Sequence, residues 1–220
     1  RYWRWPMAGT GMHSYLDSLG CGETLSADFA HEYKWDLMRD VYEGPVDSSD
    51  VGLLEAGRLM RDCGVAVEMR YGLEASAARS VNQAIALTTW FGYDQGMQLY
   101  YRDFFSRAEW ESMLAQELSA GRPVLFAAQS ASLSHALVCD GYDEDGLFHM
   151  NFGLGGDADG FYYLPHLTPK QPIWYDPESA ERGLNLLQSM IVGVRPAEPL
   201  PVVRHSLGMA FIEPVCAKSS

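Results

Sequence analysis

The sequence predicts an α+β fold, with helices gathered in the first half and an antiparallel sheet or barrel in the second. Three observations carry that expectation. Before Pro123, apolar residues recur at three- and four-residue spacing between glycines that stop helices. After Pro123 the pattern changes to short apolar or alternating runs separated by turns. The acid-and-glycine stretch Asp143-Glu144-Asp145-Gly146 joins two of those runs as a hairpin connection would.

Taken in order, Gly9-Thr10-Gly11 opens a loop that runs to about Glu23. Trp35, Met38 and Tyr42 share one side of a short helical pattern. Asp47-Ser48-Ser49-Asp50 offers an N-cap to a helix with apolar positions Leu53, Ala56, Met60 and Cys63, and Gly64 is placed to end it. A second helix is expected over 75–90, stopped by Gly92. A third spans 107–118, bracketed by Gly121 and Pro123. Strands are then expected at 124–127, 136–139, 147–150, 161–164 and 189–194. The simplest division is one domain over 1–196. The proline-rich text from 197 to 220 reads as a linker and the start of a following module.

At 220 residues the chain can bury a full core. A net charge of −13 offers no basic face to phosphates, which argues against a nucleic-acid partner. No apolar run reaches the length a membrane helix needs. Cys21, Cys63, Cys139 and Cys216 form no C-x-x-C pair, and the histidines share no metal-ligand spacing, so neither a metal nor a cofactor is called for. Cys63 and Cys139 lie in apolar runs and read as buried thiols.

The most informative stretch is Ser134-His135-Ala136-Leu137-Val138-Cys139, followed by His149-Met150-Asn151-Phe152-Gly153-Leu154-Gly155-Gly156. A histidine heads one apolar strand, and an asparagine ends the next. A hairpin between them brings both to one end of a sheet. An imidazole held by a carboxamide is the base-and-orienter half of a cysteine hydrolase. Phe152 is placed to shield that bond from water. Gly153, Gly155 and Gly156 let backbone approach an extended ligand, or simply build a tight loop. Alone, a structural histidine and a turn asparagine would explain both residues more simply. Cys21 precedes His135 in the chain, but no helix opens after it to stabilise a thiolate, so it makes a poor nucleophile.

These residues resemble the streptopain-like cysteine peptidases, bacterial secreted enzymes with a papain-like fold. The resemblance runs through Trp5-Pro6, Gly9-Thr10-Gly11, Leu25 to Phe29, Tyr33 to Met38, Leu59 to Val67, Gly121 to Leu125 and Asp159-Gly160-Phe161, covering roughly residues 1–196. It implies an endopeptidase in which His135 is general base and acid and Asn151 orients it. Substrate would lie along Gly153, Gly155 and Gly156, with Ser76, Ser134 and Phe152 in the cleft and an apolar S2 preference. It also implies a protein or peptide substrate, an inhibitory propeptide as a further partner, and a secreted or cell-surface location. The family's nucleophilic cysteine and oxyanion glutamine would belong upstream of Arg1, so the sequence reads as N-terminally truncated. Phe152 and Leu154 stand where the family has tryptophans. That departure keeps open a second function, a non-catalytic papain-like module that binds peptides or an inhibitor.

Overall fold

The computed structural model describes residues 4–42, 44–45, 47–73, 75–131, 134–169 and 183–197. Its order is β1 (Met12–Leu16), β2 (Thr24–Asp28), α1 (Val51–Ala66), α2 (Ser80–Trp90), β3 (Gln98–Tyr101), a 3-10 turn (Arg102–Phe104), α3 (Arg107–Ser119), β4 (Val124–Gln129), β5 (Ser134–Tyr142), β6 (Phe148–Asn151), β7 (Gly160–Tyr162) and β8 (Leu186–Val192). The architecture is α+β. β1 and β2 form a small antiparallel hairpin, and the other six strands form one antiparallel sheet in the order β3-β8-β4-β5-β6-β7.

Each half has its own core. Phe29, Tyr33, Trp35, Met38, Val65, Ala66 and Phe91 pack together in the first half. α3 closes one face of the large sheet, burying Trp110 and Leu114 against Phe126, Leu137, Cys139, Met150 and Phe152. The sequence of α3 explains its sharp start. Ser106 accepts from the Glu109 N–H, while the Glu109 carboxylate accepts from the Ser106 N–H, a reciprocal capping box. β4 alternates strictly, with Val124, Phe126 and Ala128 buried and Leu125, Ala127 and Gln129 on the other face.

Several local expectations give way to tertiary packing. Residues 35–37 form a single turn, and 38–42 continue without a helix. Trp35 is pinned by its indole N–H to the Pro6 carbonyl, 2.8 Å away, and a helix would carry it off. α1 starts at the expected Asp50 cap, whose carboxylate accepts from the Leu53 N–H. It does not stop at Gly64, which lies buried inside the last turn. The face it buries includes Gly52, Glu55, Asp62 and Val65, whereas Met60 is 73% exposed. Asp62 is fully buried yet well partnered: the Tyr33 hydroxyl donates to it at 3.0 Å, and the Arg61 guanidinium donates from 2.6 Å. α2 begins at Ser80 because Arg70 and Ala77 exchange backbone hydrogen bonds, holding the preceding segment extended. β1, β2 and β3 arise where no strand was expected from periodicity, and β3 completes the sheet of the second half. Ala197 hydrogen-bonds to Gly92, and the expected linker and module beyond it lie outside the described residues.

Candidate active site

A cleft of about 790 Å³ opens between the two halves. One wall is the sheet: Leu125 and Ala127 of β4, and Ser134 to Val138 of β5, with Asn151, Phe152 and Gly153 at its rim. The other wall comes from the end of α1 (Met60, Cys63, Gly64), the chain that follows it (Val67, Met69, Tyr71), and the approach to α2 (Ser76, Ser80, Gln83). Of the residues singled out from sequence, His135, Asn151, Ser76, Ser134, Phe152 and Gly153 therefore share one cleft. Gly155 and Gly156 lie further along the loop, outside its lining, at φ 70° and 101°. Those backbone angles, and no close neighbour, are what call for glycine there.

β5 and β6 pair antiparallel, with Val138 opposite Asn151 and Tyr142 opposite Phe148, and the turn after Asp143 closes the hairpin. The hairpin thus delivers His135 and Asn151 to the same end of the sheet. His135 is half-buried at the head of β5, opposite Ala128 of β4. Its Nε2 lies 2.9 Å from the Phe152 carbonyl oxygen. A carbonyl oxygen only accepts, so Nε2 carries the proton, and in the neutral ring Nδ1 carries the lone pair. The orienting partner at Nε2 is thus main chain, where a carboxamide was expected. The Asn151 Oδ1 instead accepts from the Gly153 N–H at 2.8 Å. That N–H belongs to the same peptide unit as the Phe152 carbonyl, so Asn151 holds the group that holds the imidazole.

Phe152 has a second part in the site. Its ring is 2% exposed and stacks on the imidazole, with centroids 5.9 Å apart and planes 18° from parallel. It shields the Nε2 bond from water, as was expected of it for a different bond. Leu154 packs against the core of the sheet half.

The described cysteines differ in kind. Cys21 sits at the tip of the β1–β2 hairpin, exposed and outside the cleft lining. Cys139 is buried, and burial pushes its thiol up to about 12. Cys63, expected to be buried, opens onto the cleft. Enough protein still surrounds it that desolvation pushes its thiol up to about 11, with the Asp62 carboxylate adding to the rise. At neutral pH it is a thiol, a weak nucleophile and not a thiolate. Among the described residues no cluster of three or more histidine, cysteine or acidic side chains could hold a metal. Nor, among the described residues, is any helix long and apolar enough to cross a membrane.

Sequence reasoning did not single out the far wall around Tyr71. A Cβ on Gly64 would fall 2.0 Å from the Tyr71 hydroxyl, so this ring can lie over α1 only because residue 64 is glycine. The hairpin tip supports the same segment: the Asp17 carboxylate accepts from the N–H groups of Cys21 and Tyr71, both at 3.0 Å, and these bonds hold its carboxyl below the usual range. Gly64 itself was the hint in the sequence, but it was read there as the end of the helix.

A helical half facing a sheet half across a cleft, with a histidine at the head of a sheet strand, is a papain-like arrangement. The chain belongs to the peptidase C10 family, whose model matches residues 1–162. It is 31% identical over 198 residues to the thiol protease/hemagglutinin PrtT of Porphyromonas gingivalis, covering 90% of this chain and 22% of that protein. It is 34% identical over 172 residues to streptopain of Streptococcus pyogenes, covering 78% of this chain and 42% of that protein. The chain therefore spans less than half the length of either relative. Active interpain A cysteine protease of Prevotella intermedia superposes with a TM-score of 0.75 at 30% identity, covering 88% of this chain and 78% of that one. A prointerpain A fragment from the same organism superposes at 0.70 and 31% identity, covering 90% of this chain and 60% of that one.

Proposed function

We propose that this chain is the histidine-bearing part of a cysteine endopeptidase. The observation that carries the proposal is the Nε2···O contact of 2.9 Å between His135 and Phe152. It leaves Nδ1 as the basic nitrogen of a half-buried imidazole on a cleft wall, in a chain of the peptidase C10 family. His135 takes the proton of a cysteine thiol, giving a thiolate and an imidazolium. The thiolate attacks the scissile carbonyl, and the imidazolium then gives its proton to the leaving amine. In the second half His135 takes a proton from water, whose oxygen attacks the acyl-enzyme, and the thiol is restored. The Phe152 carbonyl keeps the ring in the required tautomer throughout, and Asn151 fixes that carbonyl.

The nucleophile in this reading is a cysteine preceding Arg1 in the parent polypeptide, seated in the cleft opposite His135. Its support is the character of the described thiols: one away from the cleft, one buried, and one held protonated. Substrate runs past Ser134, Gly153 and the loop through Gly155 and Gly156, with Ser76 on the facing wall and apolar side chains favoured in the S2 position. The prointerpain A neighbour supports an inhibitory propeptide as a second occupant of the cleft. Bacterial relatives named as a thiol protease/hemagglutinin and as streptopain support a secreted or cell-surface setting.

The test is a polypeptide extended upstream through the nucleophile segment. It is expected to hydrolyse casein, to be blocked by the thiol-directed inhibitor E-64, and to lose at least about 10²-fold in kcat/KM on His135→Ala. Full activity in that variant defeats the role given to His135. Thiol-dependent hydrolysis by these 220 residues alone defeats the placement of the nucleophile.

A further inference from the structure

We propose that Asp159 is a positioning residue for His135, acting through the main chain of Phe152; this rests on the peptidase reading of the same site. Asp159 Oδ1 accepts the Phe152 N–H at 2.7 Å. The Phe152 carbonyl in turn accepts from His135 at 2.9 Å, and the next N–H, of Gly153, is held by Asn151 at 2.8 Å. Two consecutive peptide planes are therefore fixed by side chains, one from each end of the loop. Asn151 ends β6, and Asp159 immediately precedes β7.

The loop needs such a staple. Gly153, Gly155, Gly156 and Ala158 all have positive φ, and a Cβ on any of the three glycines would meet nothing within 4 Å. Leu154 and Ala158 pack on the sheet core, but the glycines beside them bring no side chain to hold their own backbone, which keeps many alternative conformations. The pairing of β6 with β7, Met150 opposite Gly160, places the Asp159 carboxylate over the start of the loop. Closing this ring of hydrogen bonds fixes the direction of the Phe152 carbonyl, and with it the plane and tautomer of the imidazole. Without the Asp159 carboxylate the Phe152 N–H loses its acceptor, and Asn151 holds only the second of the two peptide planes.

The role assigned is that of an acceptor. Asparagine at 159 keeps an oxygen of the same reach, and alanine removes it. In the upstream-extended enzyme, Asp159→Ala is expected to lower kcat by about ten- to a hundredfold, with KM within about twofold, as expected of a misaligned catalytic group. Asp159→Asn is expected to recover to within about threefold of the parent kcat. The second readout needs no activity. Nitrogen-15 NMR of the His135 ring is expected to show Nε2 protonated in the neutral form of the unsubstituted protein and of Asp159→Asn, and mixed tautomers in Asp159→Ala. The proposal is overturned by an unchanged kcat in Asp159→Ala, by a lost kcat with the tautomer still fixed, or by an asparagine variant no better than alanine. If the extended parent itself hydrolyses nothing, the peptidase reading fails, and the tautomer comparison still decides the positioning role. Should Asp159→Ala not fold, the tautomer and kcat of Asp159→Asn decide it.

Discussion

The three glycines of α1 make opposed demands, and alanine at each measures how the helix is seated. At Gly57 a Cβ would meet nothing within 4 Å and the residue is exposed. Alanine there gains about 1 kcal/mol of helix propensity, which raises Tm by about 2–4 °C in a chain of this size. At Gly52 the added Cβ would fall 2.3 Å from the Leu37 carbonyl oxygen. Ordinary contact lies about 1 Å further out, and that oxygen is main chain in a turn anchored by buried Trp35 and Met38. Overpacking of this kind costs about 1–3 kcal/mol, and a rigid neighbour puts the site at the upper end. Set against the helix gain, Gly52→Ala is expected to lose about 2 kcal/mol and to lower Tm by about 4–8 °C. Gly64→Ala falls between them. Its obstacle is the hydroxyl of Tyr71, a side chain 37% exposed that can swing away. Stability then stays within about 1 kcal/mol while the cleft wall changes shape. Thermal unfolding of the three variants side by side is the assay. If Gly52→Ala stabilises as much as Gly57→Ala does, α1 is not seated on the turn at Leu37.

Two further predictions test burial and charge. With its thiol raised from 9.0 to about 11, Cys63 should be alkylated by iodoacetamide about 100-fold more slowly at pH 7.5 than an ordinary cysteine, and the rate should keep climbing to about pH 11. A labelling rate that levels off below about pH 9 would show that the thiol is not desolvated as described. Glu117 is held below its usual range chiefly by Arg122, whose guanidinium donates to both carboxylate oxygens at 2.8 Å, and also by the Gly193 N–H, while desolvation opposes. A depressed folded-state value means that this stabilisation is complete above the unfolded value of 4.5 and is lost as pH falls through the folded one. Urea midpoints from neutral pH down to about pH 3 should therefore fall less steeply in Glu117→Gln than in the unsubstituted protein. An equal slope would remove Glu117 from the acid response.

What the sequence made legible follows from how local each signal is. The extent of α3 and the presence of the β5–β6 hairpin, though not the full length of β5, were readable because stopping glycines and turn acids act within a few residues of themselves. The start of α2 was not, because a backbone exchange between Arg70 and Ala77 overrides good helix formers at 75–78. The turn at 35–38 looked helical because Trp35 and Met38 are both buried, and burial on one side of a single turn gives the same spacing as a helix. Met60 and Cys63 were assigned to the core stripe of α1, yet they face the cleft. An apolar stripe cannot say whether protein or an open groove lies against it.

The same limit bears hardest on the site itself. His135, Asn151 and Phe152 were found because each has a side chain whose chemistry suggests a task, and all three do converge. The division of labour among them was invisible, because the atom that orients the imidazole is a carbonyl oxygen, which every residue carries. This has a consequence for substitution. A side-chain orienter is lost when its residue changes. A main-chain orienter survives any change at its own position that leaves the backbone in place, and is lost through residues that set that backbone. Phenylalanine at 152 serves tautomer control through its carbonyl, which lies against the imidazole Nε2, while its ring stacks on the imidazole and seals the bond from water. The vulnerable positions move outward, to Asn151 and Asp159, whose side chains fix the peptide groups on either side of Phe152.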